Sequence, residues 1–502
     1  MRTTRAAKNV IASLLYKIVA LICGLIVPRL MLSHFGSEYN GVVASATQFM
    51  NYITILTIGI AGPTRVALYD SLARHDEEKT NGILKATSVY MQKFSIAIVL
   101  YASLIMILLP QLAHTSLPAM EVALLVVIVS FSMFVDYFFT VTNHTLLSAD
   151  QREYIFDITS TITVIANCIV IYALIKLGYG IIRVRFVSAL VFLLKPVIIA
   201  LFIKRNYRID RKVASDYSAL KERGDAAATS IANLIHDNID LVILTFFVDI
   251  KLVSVYTVYN MIATQMRSVM QIFTGGLEAG FGNIIARDEK ETLQRNFKIY
   301  EYLVFGFVSV VISCAFVLIL PFIRNYTEGV HDIDYIIPSF AFLMVLCEAT
   351  YCIRQPYVTI VQAAGKYRET RNGAIIEAVL NVILSLIFVW LIGFQGVIVG
   401  TIFANIFRSV QYCIYVYKNI LDKKKDVVLY RIIWCIVNIM IICFCSKLIL
   451  YHVRFLNRWM LWVLHAGITL LLAVFVTLIS SVMFYKSDLS GMKETMLRVV
   501  KH

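Results

Sequence analysis

Charge is scarce in this 502-residue chain: Asp, Glu, Lys and Arg make up 16% of it, against about 25% in an average soluble domain. Hydrophobic residues reach 59% and mean hydropathy is +0.76. A chain this poor in polar groups cannot cover a water-soluble surface, which excludes a string of soluble domains, a disordered tail or a coiled coil. Acidic residues are the scarcer sign, 32 against 46 basic, for a net charge of +14. In a soluble protein that excess would suggest nucleic acid; in a membrane chain it marks basic cytoplasmic loops, and no nucleic-acid partner is expected. The nine cysteines lack CxxC spacing and sit in apolar stretches, so neither a metal site nor a disulfide framework is expected. Walker A, HExxH and nucleophile-elbow motifs are absent, as is a long external loop with paired acids, so the chain reads as neither an enzyme nor an ATPase, and no cofactor is expected.

What is there is a succession of apolar runs. A helix needs about 20 apolar residues to cross a hydrocarbon core of roughly 30 Å. Such runs fall near 9–33, 40–62, 83–109, 119–142, 154–176, 181–203, 226–248, 252–276, 299–323, 335–362, 373–392, 395–417, 430–452 and 459–484, which predicts fourteen spans. The basic N-terminus MRTTRAAK looks like the start of a signal peptide, but the run after it is too long and has no small-residue cleavage site. It reads as a first span that stays. With the N-terminus inside, most basic residues fall in cytoplasmic segments, above all 204–225 and 418–425, so both termini are expected in the cytoplasm.

Self-comparison reveals a repeat. AAKNVIASLLYK (6–17) is similar to AAATSIANLIHD (226–237), and GPTRVALYDSLARHDEEKT from Gly62 to GGLEAGFGNIIARDEKET from Gly275. Each repeat holds six spans and the last two are unpaired. The expected architecture is therefore an all-α polytopic membrane protein, with an N-lobe over 1–203, a cytoplasmic linker over 204–225, a C-lobe over 226–417, and a helix pair with a cytoplasmic tail over 418–502. Six is even, so the halves should be related by an axis along the membrane normal.

Polar groups inside spans cost roughly 2.5–3.5 kcal/mol for Arg, Lys or Asp at a helix centre, so they should face protein or water. Span seven carries Thr229, Ser230, Asn233, His236, Asp237 and Asp240 at spacings of three and four, which predicts one face. Span eight repeats the pattern with Tyr256, Asn260, Thr264, Arg267, Gln271 and Thr274. Span two offers Asn40, Thr47, Asn51 and Thr54, and span one Asn9, Ser13 and Lys17. The repeat sets Lys17 opposite Asp237, both near the midplane. The bland reading is helix glue; four pseudo-symmetric stripes bearing Lys17, Asp237, Asp240 and Arg267 point instead to a hydrated cavity. Arg29, Lys85, Lys93, Arg408, Arg431 and Lys447 are expected to snorkel at interfaces. Asp136, Asp157, Glu348, Arg354 and Lys195 lie or flank deeper. Asp136 and Glu348, which the repeat roughly pairs, would either bind H⁺ or Na⁺ or pair with a neighbouring base.

VPRLMLSHFGSEYNGVVASATQFMNYITIL (27–56) and NIDLVILTFFVDIKLVSVYTVYNMI (238–262) resemble the bacterial polysaccharide-biosynthesis flippases of the multidrug/oligosaccharidyl-lipid/polysaccharide exporter (MOP) superfamily, with FGSEYNG, SVYTVYNM and the two Ala-Arg blocks as the specific parts. The resemblance covers the whole chain. It implies two six-helix lobes in a V around a cavity lined by spans one, two, seven and eight, and an undecaprenyl-pyrophosphate-linked oligosaccharide as substrate. The lipid tail would run outside the lobes in membrane lipid, and a glycan polymerase and glycosyltransferases would be partners. Lys17 and Arg267, with Arg29 and Arg65, would then engage the pyrophosphate; Asn51, Asn233, Asn260 and Gln271 would meet the sugars. Asp237 and Asp240, beside His236, would hold the cations when substrate is absent. Lipid II flippases resemble the chain in architecture but typically concentrate several arginines in span one, where this chain has only Lys17 and Arg29. A drug antiporter of the same superfamily would need an acidic, aromatic cavity.

Overall fold

The computed structural model describes residues 2–58, 60–210, 212–217, 225–423, 426–450 and 458–485. Part of the expected linker and the tail beyond 485 lie outside these residues. The described chain is helical throughout, with one isolated β-bridge between His114 and Asp249. In order the helices are α1 (Arg2–Tyr52), α2 (Ala61–Ala73), α3 (Glu77–Leu112), α4 (Ala119–Val135), α5 (Val141–Ala149), α6 (Glu153–Lys176), α7 (Ile181–Val191), α8 (Leu194–Asn206), α9 (Asp225–Phe247), α10 (Ile250–Gly275), α11 (Glu278–Ala286), α12 (Lys290–Tyr326), α13 (Pro338–Ile353), α14 (Gln355–Ala363), α15 (Tyr367–Ile392), α16 (Gly396–Asn419), α17 (Asp426–Leu450) and α18 (Arg458–Phe484).

Among the described residues, ten stretches of helix are long and apolar enough to cross a membrane. Two of them, Ala7–Thr57 and Tyr367–Asn419, hold 51 and 53 residues and each contain two expected spans. The first breaks at Gly36 and the second at Gly393–Gln395. Expected span eight, now α10, falls outside the ten because of its polar stripe. Expected span ten is two shorter pieces, α13 and α14, of 16 and 9 residues. Span two ends sooner than expected: α1 tightens into a 3₁₀ turn over Ile53–Thr57, and the Gly62 block forms a separate helix, α2.

By contact the chain groups into two compact units, Met1–Ser254 with Gly329–Ile333, and Val255–Glu328 with Asp334–His502. Helix α9 thus groups with the first unit, because polar side chains tie it to the second half of α1. Gln48 donates to the Asn238 carbonyl at 3.1 Å, and Ser45 and Thr245 share a hydrogen bond of 2.7 Å; Asn40 makes a similar tie to the start of α10, donating to Ser254 at 2.8 Å. Both units carry the same polar staple. In the first, Ser188 of α7 donates to Asn167 of α6 at 2.7 Å; in the second, Thr401 of α16 donates to Asn381 of α15 at 3.0 Å, some 213–214 residues on. This agrees with the 213 residues that separate the Gly62 and Gly275 blocks.

Five residues of the FGSEYNG segment, Gly36, Ser37, Glu38, Tyr39 and Gly41, each have a physical reason. Gly36 sits at φ 87°, ψ 177°, where only glycine is comfortable, and breaks the helix. The break frees the Ser37 N–H, which donates to Asp332 at 2.7 Å while the Ser37 hydroxyl donates to the other carboxylate oxygen at 2.7 Å. A carboxylate on a new helix N-terminus is favourable for both its hydrogen bonds and its charge. Glu38 accepts from Thr115 at 2.8 Å and from Ser116. Burial pushes its carboxyl up, but these bonds and nearby Lys251 win and hold it below the ordinary range. Tyr39 donates to Glu121, which pushes its phenol up to about 12. At Gly41 a Cβ would stand 2.1 Å from the Ile250 carbonyl, so only glycine lets α1 approach there.

Candidate functional site

In the second unit, the three-and-four spacing of α10 sets Arg267 toward α13. Its Nε donates to both oxygens of Glu348, at 3.1 and 2.9 Å, and its Nη2 donates to one of them at 2.8 Å. The fork is the geometry that makes guanidinium the preferred partner of a planar oxyanion. Glu348 is 1% exposed, whereas the Arg267 side chain keeps 20%. One face of the cation is held by protein and part of it remains accessible.

The pair begins a longer chain of charges. Tyr351, one turn beyond Glu348, has its ring centroid 4.7 Å from the Arg267 guanidinium carbon and 4.6 Å from that of Arg354. Two cations share one aromatic face system. Arg354, at the break between α13 and α14, pairs with Glu377 of α15 and donates to Asn405 of α16 at 3.3 Å. Glu377 also takes Arg408 of α16 at 3.3 Å. The named groups carry three positive and two negative charges across four helices, and of the three cations Arg267 has the most exposed side chain.

In the first unit Lys17 is exposed on α1, within electrostatic reach of Asp157 of α6. Asp136 opens a π-helical turn, Asp136–Thr140, between α4 and α5, and pairs with Lys195 of α8 at 2.6 Å. Arg65 of α2 donates to Ser148 of α5 at 3.4 Å, and Ser148 in turn to Glu153 of α6. Glu153 also faces His144 at 3.5 Å. Arg29 is half-buried in α1.

Several expectations need correction. The single stripe expected on α9 splits in two: Asn233 and Asp237 are exposed, while His236 and Asp240, at the other i, i+4 register, are buried. Arg408 and Arg431, expected to snorkel, are the two largest fully buried side chains. Each is held by a buried carboxylate, Glu377 and Glu301 respectively, because hydrocarbon leaves no other way to keep the charge. Of the open alternatives for Asp136 and Glu348, both are found paired with a base. Sequence reasoning missed Gln48, Asn238, Glu301 and Glu377; for the two acids, a lone Glu within an apolar run was the available signal.

The side chains of Lys17, Asn51, Asn233, Asn260 and Gln271 make no hydrogen bond among the described residues. Polar groups in membrane helices without protein partners are the ones available to water or a ligand.

No protein-family model matches the sequence, and no curated protein matches it. Solved structures do. The lipid II flippase MurJ in an inward closed conformation superposes with a TM-score of 0.70 at 20% identity, over 95% of this chain and 99% of that one. An inward-facing multidrug resistance MATE family transporter of the MOP superfamily gives 0.57 at 14%, over 78% and 92%. A MOP superfamily transporter from Pyrococcus furiosus, described as having a binding pocket of reversed polarity, gives 0.54 at 15%, over 84% and 97%. The chain is an all-α, multi-pass membrane protein with the MOP-superfamily fold. The similar structures named here are flippases and transporters, not enzymes.

Proposed function

We propose that this chain is a flippase carrying undecaprenyl-pyrophosphate-linked oligosaccharide across the bacterial plasma membrane by alternating access, with both termini in the cytoplasm, for capsule, O-antigen or another surface polysaccharide. The observation that carries the reading is the forked Arg267–Glu348 pair. A sugar diphosphate cannot enter hydrocarbon uncompensated. A guanidinium already oriented for a planar oxyanion can exchange a carboxylate for a phosphate with little rearrangement. Within the first unit Lys17, Arg29 and Arg65 would supply positive charge and Asn51 and Asn233 donors for hydroxyls; within the second, Asn260 and Gln271 would supply such donors.

Substrate arrival would release Glu348, and a released carboxylate is a proton or sodium acceptor; Asp136, His236, Asp237 and Asp240 are the other candidates. Membrane voltage is the rival drive, worth about 2.3 kcal/mol per charge per 100 mV. The superposition on a lipid II flippase supports a second reading, a peptidoglycan-precursor flippase; the likeness to MATE transporters supports a third, an organic-cation antiporter. Deleting the gene and identifying lipid-linked intermediates by mass spectrometry separates all three. An accumulating oligosaccharide-diphospholipid supports the first, accumulating lipid II the second, and no accumulation with lost drug efflux the third.

A further inference from the structure

A cleft of about 620 Å³ lies between α3, α5 and α8 of the first unit, away from the polar stripes. It runs beside α3 from Asn81 to Gln92, which at roughly 1.5 Å per residue is about 17 Å. That is close to one leaflet, half of a hydrocarbon core of roughly 30 Å. Phe138, Phe139 and Val197 line it as apolar wall, and its mouth, where the segment after α8 meets α3, holds Lys85, Asn81 and Asp210.

Lys85 decides the chemistry. It is half-buried, its ammonium donates to the Val213 carbonyl at 2.8 Å, and no carboxylate pairs with it among the described residues. Asp210 accepts the Lys212 backbone N–H at 2.8 Å instead. A half-buried cation beside an apolar slot lacks an anion. Two features of α5 and the turn before it add to this. The π-turn Asp136–Thr140 supplies the two phenylalanines of the wall, and such turns often mark functional sites. The Thr142 hydroxyl, which also lines the cleft, is buried without a hydrogen-bond partner.

We infer that this cleft binds an anionic phospholipid, its phosphate at Lys85 and one acyl chain along Phe138, Phe139 and Val197. The segment after α8 forms part of the mouth and is pinned to α3: Asn81 donates to the Arg208 carbonyl at 3.3 Å and the Asp216 N–H to the Gly82 carbonyl at 3.0 Å. A lipid there therefore touches the start of the connection to α9.

The inference is independent of the transported substrate and of the orientation proposed above. The test reconstitutes the full chain in phosphatidylcholine nanodiscs, both leaflets alike, doped with phosphatidylglycerol carrying a photo-reactive acyl chain, and maps the labelled peptides. Labelling is expected in Asp136–Ala149 and Leu194–Asn206. Lys85→Gln should reduce it about tenfold, the loss of one charge-assisted contact. Lys85→Arg should restore it, Ala200→Trp should block it, and Lys93→Gln, on the exposed side of α3, should leave it unchanged. Equal labelling by a photo-reactive phosphatidylcholine, labelling indifferent to Lys85→Gln, or labelling only by a polyprenyl-phosphate probe would overturn the assignment. A melting temperature measured for each variant separates loss of binding from loss of fold.

Discussion

Arg267 and Glu348, 81 residues apart in sequence, are joined by three hydrogen bonds between α10 and α13, with the carboxylate 1% exposed and the guanidinium side chain 20% exposed. The asymmetry gives the pair its use. The acid is committed to the protein, while the cation retains a path to a ligand. In a low-dielectric setting such a pair persists only where geometry is good, and the Tyr351 ring 4.7 Å from the guanidinium carbon adds a cation–π contact.

Removing only the acid should cost more than removing both partners. Glu348→Ala takes the forked carboxylate from a guanidinium that is one-fifth exposed, so the cost should lie below the roughly 3–5 kcal/mol of breaking a fully buried pair. The double variant Glu348→Met, Arg267→Met should recover most of that stability yet fail to translocate glycolipid. Thermal unfolding in detergent measures the first effect and inner-leaflet accumulation of glycolipid the second. A double variant that still translocates would remove Arg267 from the mechanism.

Glu377 serves two arginines, Arg354 and Arg408. Glu377→Gln should therefore destabilise more than Arg408→Met, which removes a charge together with its need for a partner. A gap of about 2 kcal/mol or more is expected from an uncompensated buried charge, read from denaturation of the two variants side by side. Equal effects would mean the two arginines are held by something else.

The sequence made the helical spans, the repeat and most of the charged residues in them legible, because apolar periodicity and the cost of intramembrane charge act locally. Pairing was not legible. Arg267 was marked for a phosphate and Glu348 for either an ion or a neighbouring base, and nothing at a separation of 81 residues says that they meet each other. Arg408 and Arg431 were read as snorkelling because their distance to an apolar run's end can be counted, whereas the acids that bury them, Glu377 and Glu301, come from other helices. The split of the α9 stripe has the same origin. Residues three and four apart share a helix side, but which neighbour covers each half is a tertiary fact.

Glu301 of α12 joins three other helices. It pairs with Arg431 of α17 and accepts from Tyr357 of α14 at 2.7 Å and Tyr417 of α16 at 2.8 Å. Glu301→Leu with Arg431→Leu removes the charges but leaves two buried hydroxyls without an acceptor. The double variant should thus remain destabilised by about 1–3 kcal/mol, and adding Tyr357→Phe and Tyr417→Phe should recover part of it. Melting temperatures of the double and quadruple variants check the order. No recovery in the quadruple variant would mean the hydroxyls are not what the acid satisfies.

Acid should loosen the turn at Gly36. Glu38 has its carboxyl held below the ordinary value of 4.5 by Thr115 and Ser116 against the opposing effect of burial. A depressed folded pKa means the stabilisation is complete above the ordinary value and disappears as pH falls through the lower one. Wild type should lose melting temperature between pH 5 and pH 3 by more than Glu38→Gln, which cannot titrate there. Parallel acid profiles would show that Glu38 contributes nothing.

Gly36 tests whether the break itself matters. At φ 87° an alanine is strained by about 1–3 kcal/mol, and its Cβ would stand 3.1 Å from Asp332 Oδ2, the oxygen that accepts the Ser37 N–H. The substitution therefore acts twice, on backbone strain and on the cap. Ser37→Ala removes only the hydroxyl bond, which is worth about 1.5–3 kcal/mol when the acceptor is charged, and leaves the N–H bond to the same carboxylate in place. Gly36→Ala should accordingly be the more destabilising of the two, and Gly36→Ala with Asp332→Ala should be less than additive because both variants disturb the same bond. Unfolding of these three variants and of Asp332→Ala alone, measured together, decides it. Strict additivity would separate the backbone break from the Asp332 cap and make them independent features of the fold.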